Sequence, residues 1–278
     1  MRLAISNIAW DVSEDKAIVA LLHRYAIDAI DIAPGKYFPN PIVATSTDIL
    51  RVKKWWSDRD IEITGMQALL FGTTGLNVFG SEESRAKLQT HLAAVCRVGA
   101  ELGATRVVFG SPKNRDRTGL NDAQAMAIAI PFFRKLADVA QALGVTVCLE
   151  PNPEHYGANF MIDSSSTAVV VKQLAHPALR MQLDTGALTM NGEDPRIVLC
   201  DYAALIGHVH LSEPGLVPLG DGDTAHRLIS QVLSQYLPAH VLTIEMVATN
   251  SEPHEVSIER SIQVAERYYR NMCTEESV

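Results

Sequence analysis

The sequence predicts a single (β/α)₈ barrel spanning residues 1–278, and three observations lead there. Short β-branched runs alternate with longer amphipathic runs along the whole chain. Eight such strand–helix pairs fill roughly 250 residues, the usual size of that barrel. No low-complexity linker or shift of composition marks a second domain. A doubly wound open sheet shares the alternation, but no GxGxxG follows the first strand.

The elements follow in order. "RLAISNIA" reads as a strand, "SEDKAIVALLHRYA" as a helix with Ser13 at its N-cap, and "IDAIDIAP" as a strand closed by Pro34. The helix "STDILRVKKWWSDR", the strand "IEITGMQ", the helix "SEESRAKLQTHLAAVCRVGAELG" ended by Gly103 and the strand "TRVVFG" come next. The helix "NDAQAMAIAIPFFRKLADVAQALG" stops at Gly144 and leads into the strand "VTVCLE", the helix "DSSSTAVVVKQLA" and the strand "LRMQLD". A short helix near "PRIVLCDY", the strand "LIGHVHL", the helix "TAHRLISQVLSQYL", the strand "VLTIE" and a helix from about Ser257 to Asn271 complete the count.

Composition narrows the partners. A chain of 278 residues, 47% hydrophobic and 20% charged, buries a substantial core. Its net charge of -8 argues against nucleic acid and for a small molecule. Cys96, Cys148, Cys200 and Cys273 show no CxxC spacing, as expected of a protein in a reducing cytoplasm. No basic segment followed by a long apolar run opens the chain, and no apolar stretch reaches membrane-spanning length, so no membrane partner is expected. A homo-oligomer is compatible with the sequence.

In such a barrel the site lies at the C-terminal ends of the strands. There the sequence places Glu150, Asp184, the pair His208 and His210, and Glu245. Glu150, Asp184, His210 and Glu245 are 34, 26 and 35 residues apart, about one strand–helix unit each. Three carboxylates crowded with one imidazole repel unless they share a cation. An oxygen-rich set with a single nitrogen suits Mn²⁺, Mg²⁺ or Co²⁺. Asp184 alone fits the cap of a following helix equally well. His208 shares the strand face of His210 and reads as a substrate contact, a support for the ligands, or a packed core histidine. Asn7 and Gln67 near other strand ends read equally as contacts for a polyol or as partners of loop backbone groups, and Asn152 between two prolines as a substrate contact or a support for Glu150. Lys113 and Arg115 in "GSPKNRDR" would place positive charge at the rim, matching a phosphate or carboxylate, or belong simply to a solvated loop. Trp10 and Phe71 could wall a pocket, and Trp55 and Trp56 read as packing.

"CLEPNP", "LDTG", "HVHLSE", "PLGDGD" and "TIE" resemble, in this order, motifs of the xylose isomerase-like TIM barrels. That group includes sugar isomerases, ketose 3-epimerases, hydroxypyruvate isomerase and, more remotely, the apurinic-site endonucleases. The resemblance implies one divalent ion, Mn²⁺ first, on Glu150, Asp184, His210 and Glu245. It also implies Glu150 and Glu245 as acid and base in an isomerase or epimerase acting on a carbohydrate through an enediolate. Two departures stand out. The histidine that many sugar epimerases carry three residues after the strand-six Asp is Ala187 here, and "LSEPGLVPLGDGD" lacks the usual arginine. A lyase or dehydratase using the same chemistry is the alternative. The three-metal set of the endonucleases is not evident, and an intact ligand set argues against a non-catalytic binding protein.

Overall fold

In the computed structural model, which describes residues 1–270, the eight β-branched runs become eight short parallel strands. They are β1 (Leu3–Ser6), β2 (Ala29–Ile32), β3 (Glu62–Met66), β4 (Arg106–Phe109), β5 (Thr146–Leu149), β6 (Leu179–Asp184), β7 (Ile206–Leu211) and β8 (Leu242–Ile244). Each pairs with its neighbours in sequence, and Leu3 opposite Leu242 closes the ring. The predicted (β/α)₈ barrel is therefore borne out.

Nine α-helices are seen among the described residues: α1 (Asp15–Arg24), α2 (Ser46–Ser57), α3 (Glu82–Leu102), α4 (Asp122–Ala142), α5 (Ser164–Leu174), α6 (Thr185–Asn191), α7 (Pro195–Tyr202), α8 (His226–Tyr236) and α9 (His254–Ala265). Their ends follow local chemistry. Gly103 at φ 91° ends α3 in the left-handed region that suits glycine, and the Asn121 side chain accepts from the Gln124 N–H at 2.9 Å to start α4. Ser13 is not a cap: it sits inside a 3₁₀ turn, Val12–Glu14, and α1 begins only at Asp15. The turn starts earlier because the Asp11 N–H is held by Glu14 Oε2 at 2.8 Å. The final helix begins at His254 and passes into a π turn, Glu266–Arg270; Asn271 and Cys273 lie outside the described residues.

Strand alternation sorts side chains between two environments. Ile30 and Ile32, Met181 and Leu183, and Val209 and Leu211 join the apolar layer between strands and helices. The opposite parity carries Asp31, Gln182, Asp184, His208 and His210 into the barrel, where they are buried as well. Trp56 is fully buried in the apolar layer, while Trp55 stacks on Arg59, 3.9 Å from the ring centre. No helix among the described residues is long and apolar enough to cross a membrane.

Candidate metal centre

Four consecutive strands deliver the cluster. Asp184 ends β6 directly opposite His210 of β7, and Glu150 and Glu245 follow the last residues of β5 and β8. One donor atom from each of Glu150, Asp184, His210 and Glu245 lies within 4.8 Å of the others, and all four residues are buried. His210 Nδ1 stands 3.0 Å from Glu245 Oε2 and 3.5 Å from Glu150 Oε1. With its oxygen turned to β7, the Gln182 amide accepts from the His210 backbone N–H and from the Nδ1–H of its ring, both at 3.2 Å.

Two of the three carboxylates are aimed by their surroundings. Asp184 Oδ1 accepts from the Ala187 N–H at 2.7 Å and Oδ2 from the Ser212 hydroxyl at 2.7 Å. It therefore caps α6 and faces the cluster at the same time, joining the two readings its sequence position allowed. Glu150 Oε2 takes a hydrogen bond from the Asn152 amide at 3.1 Å. A Cβ at residue 110 would stand 1.8 Å from that oxygen, so only glycine leaves the room.

The electrostatics show a deficit of positive charge. Burial pushes the Asp184 carboxyl up to about 7, helped by the charges of Glu150 and Glu245 and opposed by His210 and the Ala187 N–H. Burial works against a charged His210 ring, yet Glu245, Asp31 and Glu150 hold its pKa well above the ordinary histidine value. One imidazolium thus faces three carboxylates. Glu150 Oε1 is also buried without a hydrogen-bond partner. A divalent cation fits this set: it would supply the missing charge and a partner for that oxygen.

The other expected contacts fall differently. Arg115 is not at the rim: it is 0% exposed, donating to the Glu150 carbonyl at 2.7 Å and to Asn152 Oδ1. "PKNR" closes into a 3₁₀ turn that folds the long side chain inward, and burial lowers its pKa to about 10 against the pull of Glu150. Lys113, two residues earlier, is exposed. His208 is enclosed within the barrel, with Nε2 2.5 Å from Asp31 Oδ2, which makes it a hydrogen-bonded interior histidine. Asn7 and Gln67 are buried at the ends of β1 and β3. Asn7 Oδ1 accepts from the Ala33 N–H at 2.7 Å and Gln67 donates to the Ser6 hydroxyl, while Asn7 Nδ2 and Gln67 Oε1 have no hydrogen-bond partner. Trp10 is buried with its indole N–H on Asp15 at 2.8 Å, and Phe71 is 88% exposed, so neither matches the expected pocket wall.

Two residues escaped the sequence reading. Asp31 lies in the middle of β2 rather than at a strand end, although a charged residue of inward parity in "AIDI" carries the same signal of a partnered interior acid. Tyr156, after β5, bridges to the loop after β7 by accepting from the Gly215 N–H at 2.7 Å. Burial raises its pKa, and the charges of Asp184, Glu245 and Glu150 raise it further. No local pattern in "PEHYG" marks that bridge.

Comparison with known proteins agrees with this architecture. The family described as "Xylose isomerase-like TIM barrel" matches residues 19–268. The chain belongs to that family. A D-psicose 3-epimerase from Clostridium cellulolyticum H10, solved with D-tagatose, superposes with a TM-score of 0.80 at 16% identity, covering 97% of this chain and 99% of that one. The 3-keto-D-glucoside 4-epimerase of E. coli gives 0.75 at 16% identity over 95% and 98%. An L-ribulose 3-epimerase gives 0.74 at 16% identity over 100% and 99%. At these identities the likeness is one of fold. No curated protein matches the sequence.

Proposed function

We propose that this xylose isomerase-like barrel is a divalent-metal-dependent isomerase or epimerase of a keto sugar or keto-sugar derivative. The observation that carries the reading is the convergence of Glu150, Asp184, His210 and Glu245, with the two glutamates reaching the same ring nitrogen from β5 and β8, on either side of β6 and β7. The sugar epimerases of similar fold support the substrate class. Glu150, Asp184, His210 and Glu245 would hold the ion; the three carboxylates suit Mn²⁺ or Mg²⁺, the imidazole favours Mn²⁺ over Mg²⁺, and Co²⁺ is the alternative. When bound, the ion polarises the substrate carbonyl and acidifies the neighbouring C–H. Glu150 and Glu245 then act as base and acid: one carboxylate takes a proton from carbon, leaving an enediolate, and the other returns one. Returning it to the opposite face inverts the centre; returning it to the adjacent carbon interconverts aldose and ketose.

Asn7 Nδ2 and Gln67 Oε1, unpaired at the strand ends, suit the hydroxyls of a polyol. Arg115 supports the backbone and amide around Glu150, so of the two cations expected to meet an anionic group only the exposed Lys113 is available. That favours a neutral sugar. Asn152 orients Glu150, and His208 acts from behind the ligand shell.

The test is proton exchange with D₂O in the presence of Mn²⁺, run over ketoses, keto sugars and their phosphates. Exchange at one carbon is expected with a neutral substrate, and Glu150→Gln and Glu245→Gln should each lower turnover about 10²- to 10⁴-fold while retaining weakened metal binding. Elimination of water would point to a lyase. Near wild-type turnover by both metal-loaded variants would end the two-glutamate mechanism.

A further inference from the structure

We propose that Asp31 is a positioning residue for the metal centre: reaching in from β2, it seats the rings of His208 and His210 so that His210 keeps its proton on Nε2 and presents Nδ1 to Glu150, Asp184 and Glu245. This rests on the metal reading above and adds a residue that stands outside the ligand set.

Asp31 is fully buried, and an isolated interior carboxylate is costly unless it is partnered. The barrel makes a place for it. A Cβ at residue 65 would stand 2.6 Å from Asp31 Oδ1, so Gly65 on the adjoining strand leaves the gap that the carboxylate fills. The Thr64 hydroxyl donates to the same oxygen at 2.9 Å. A register shift in the β2–β3 pairing between Ile30 and Asp31 departs from regular strand geometry at this residue.

The second oxygen, Oδ2, serves both histidines of β7. It is 2.5 Å from His208 Nε2 and 3.8 Å from His210 Nε2, an ion-pair distance. The two rings meet edge to face, their centres 5.2 Å apart, so fixing one constrains the other. His210 Nε2 is buried with no hydrogen-bond partner, and Asp31 is the carboxylate within 4 Å of it. His210 Nδ1 faces the glutamates instead. The two nitrogens thereby face different carboxylates; the Gln182 amide oxygen also accepts from Nδ1, so a cation on Nδ1 would take the place of that proton while Nε2 keeps its own beside Asp31. Metal-bound histidines commonly hand their other N–H to such an outer carboxylate, and losing it weakens binding about 10- to 100-fold.

The experiment uses ¹⁵N-histidine-labelled protein loaded with diamagnetic Zn²⁺, read by long-range ¹H–¹⁵N correlation, together with calorimetric Zn²⁺ and Mn²⁺ affinities of wild type, Asp31→Asn and Thr64→Val. Expected are a His210 ring protonated at Nε2 and ligated at Nδ1, an affinity about 10- to 100-fold weaker in Asp31→Asn, and a smaller loss of the same sign in Thr64→Val. Ligation through Nε2 would overturn the proposal, as would wild-type affinity in both variants even if they melt earlier, since that would make Asp31 a packing residue. If Asp31→Asn does not fold, the wild-type spectrum and Thr64→Val decide. A wild type that binds neither ion refutes the metal reading itself; one that binds while the variants match it refutes only the role of Asp31.

Discussion

Gly110 holds the position of Glu150 more directly than any residue that touches the glutamate by hydrogen bond. A methyl group there would overlap Oε2, and overpacking of this kind costs about 1–3 kcal/mol when the surroundings cannot yield. Gly110→Ala should therefore lower the urea midpoint and weaken metal binding together. Unchanged values in both would mean that the Glu150 carboxylate can adopt another rotamer at no cost. The same scale shows what local sequence can reveal. Glu150, Asp184, His210 and Glu245 were legible because each lies at or beside the C-terminal end of a strand, where the fold alone decides what they face. Arg115 was not, because "GSPKNRDR" holds three long cations and nothing local says which one the turn folds inward. Asp31 was passed over because its partners, His208 and His210, lie some 180 residues away in the chain.

Among the elements, the loop after β7 is governed by one acid. Glu213 is fully buried and accepts from the Gly220 N–H at 2.8 Å, the Thr224 N–H at 3.0 Å and His226 at 2.8 Å, while His226 meets the Tyr269 hydroxyl at 2.7 Å. Burial alone would raise its pKa, but His226, Thr224 and the Gly220 N–H bring it down to about 2. A carboxyl depressed on folding stabilises the folded state above its unfolded pKa, and this contribution disappears as pH falls through the folded value. Denaturation midpoints should thus drop between about pH 4.5 and pH 2, and Glu213→Gln should flatten that limb while lowering stability at pH 7. An unchanged acid limb in the variant would place the sensitivity elsewhere. Helix boundaries were readable wherever Gly or Asn terminates them, as at Gly103 and Asn121. Helix α6 was absent from the element count although Asp184 was readable as a cap, since Asp184 both ends β6 and caps the helix, leaving no turn residues between two elements to mark where the second begins.

For the whole molecule, the cluster couples the stability of four strands to one ion. A ligand that binds only the folded chain adds about 2.7 kcal/mol at a hundred times its Kd. At the usual conversion this is a rise in Tm of roughly 5 °C or more. Differential scanning calorimetry with Mn²⁺ and then with a chelator should show the rise and its reversal; a Tm indifferent to both would argue that no cation joins these strands. Eight repeated strand–helix units made the barrel legible. The closure itself had no local sign, because Leu3 and Leu242 are brought together only by the completed ring. That closure also sets a schedule for the nascent chain. Glu150 is synthesised 95 residues before Glu245, an interval of roughly 5–20 s at common translation rates. Until β8 leaves the ribosome, β1 and β7 each expose an unpaired edge that strands of other chains can join, and the last carboxylate of the rim arrives only as that gap is sealed.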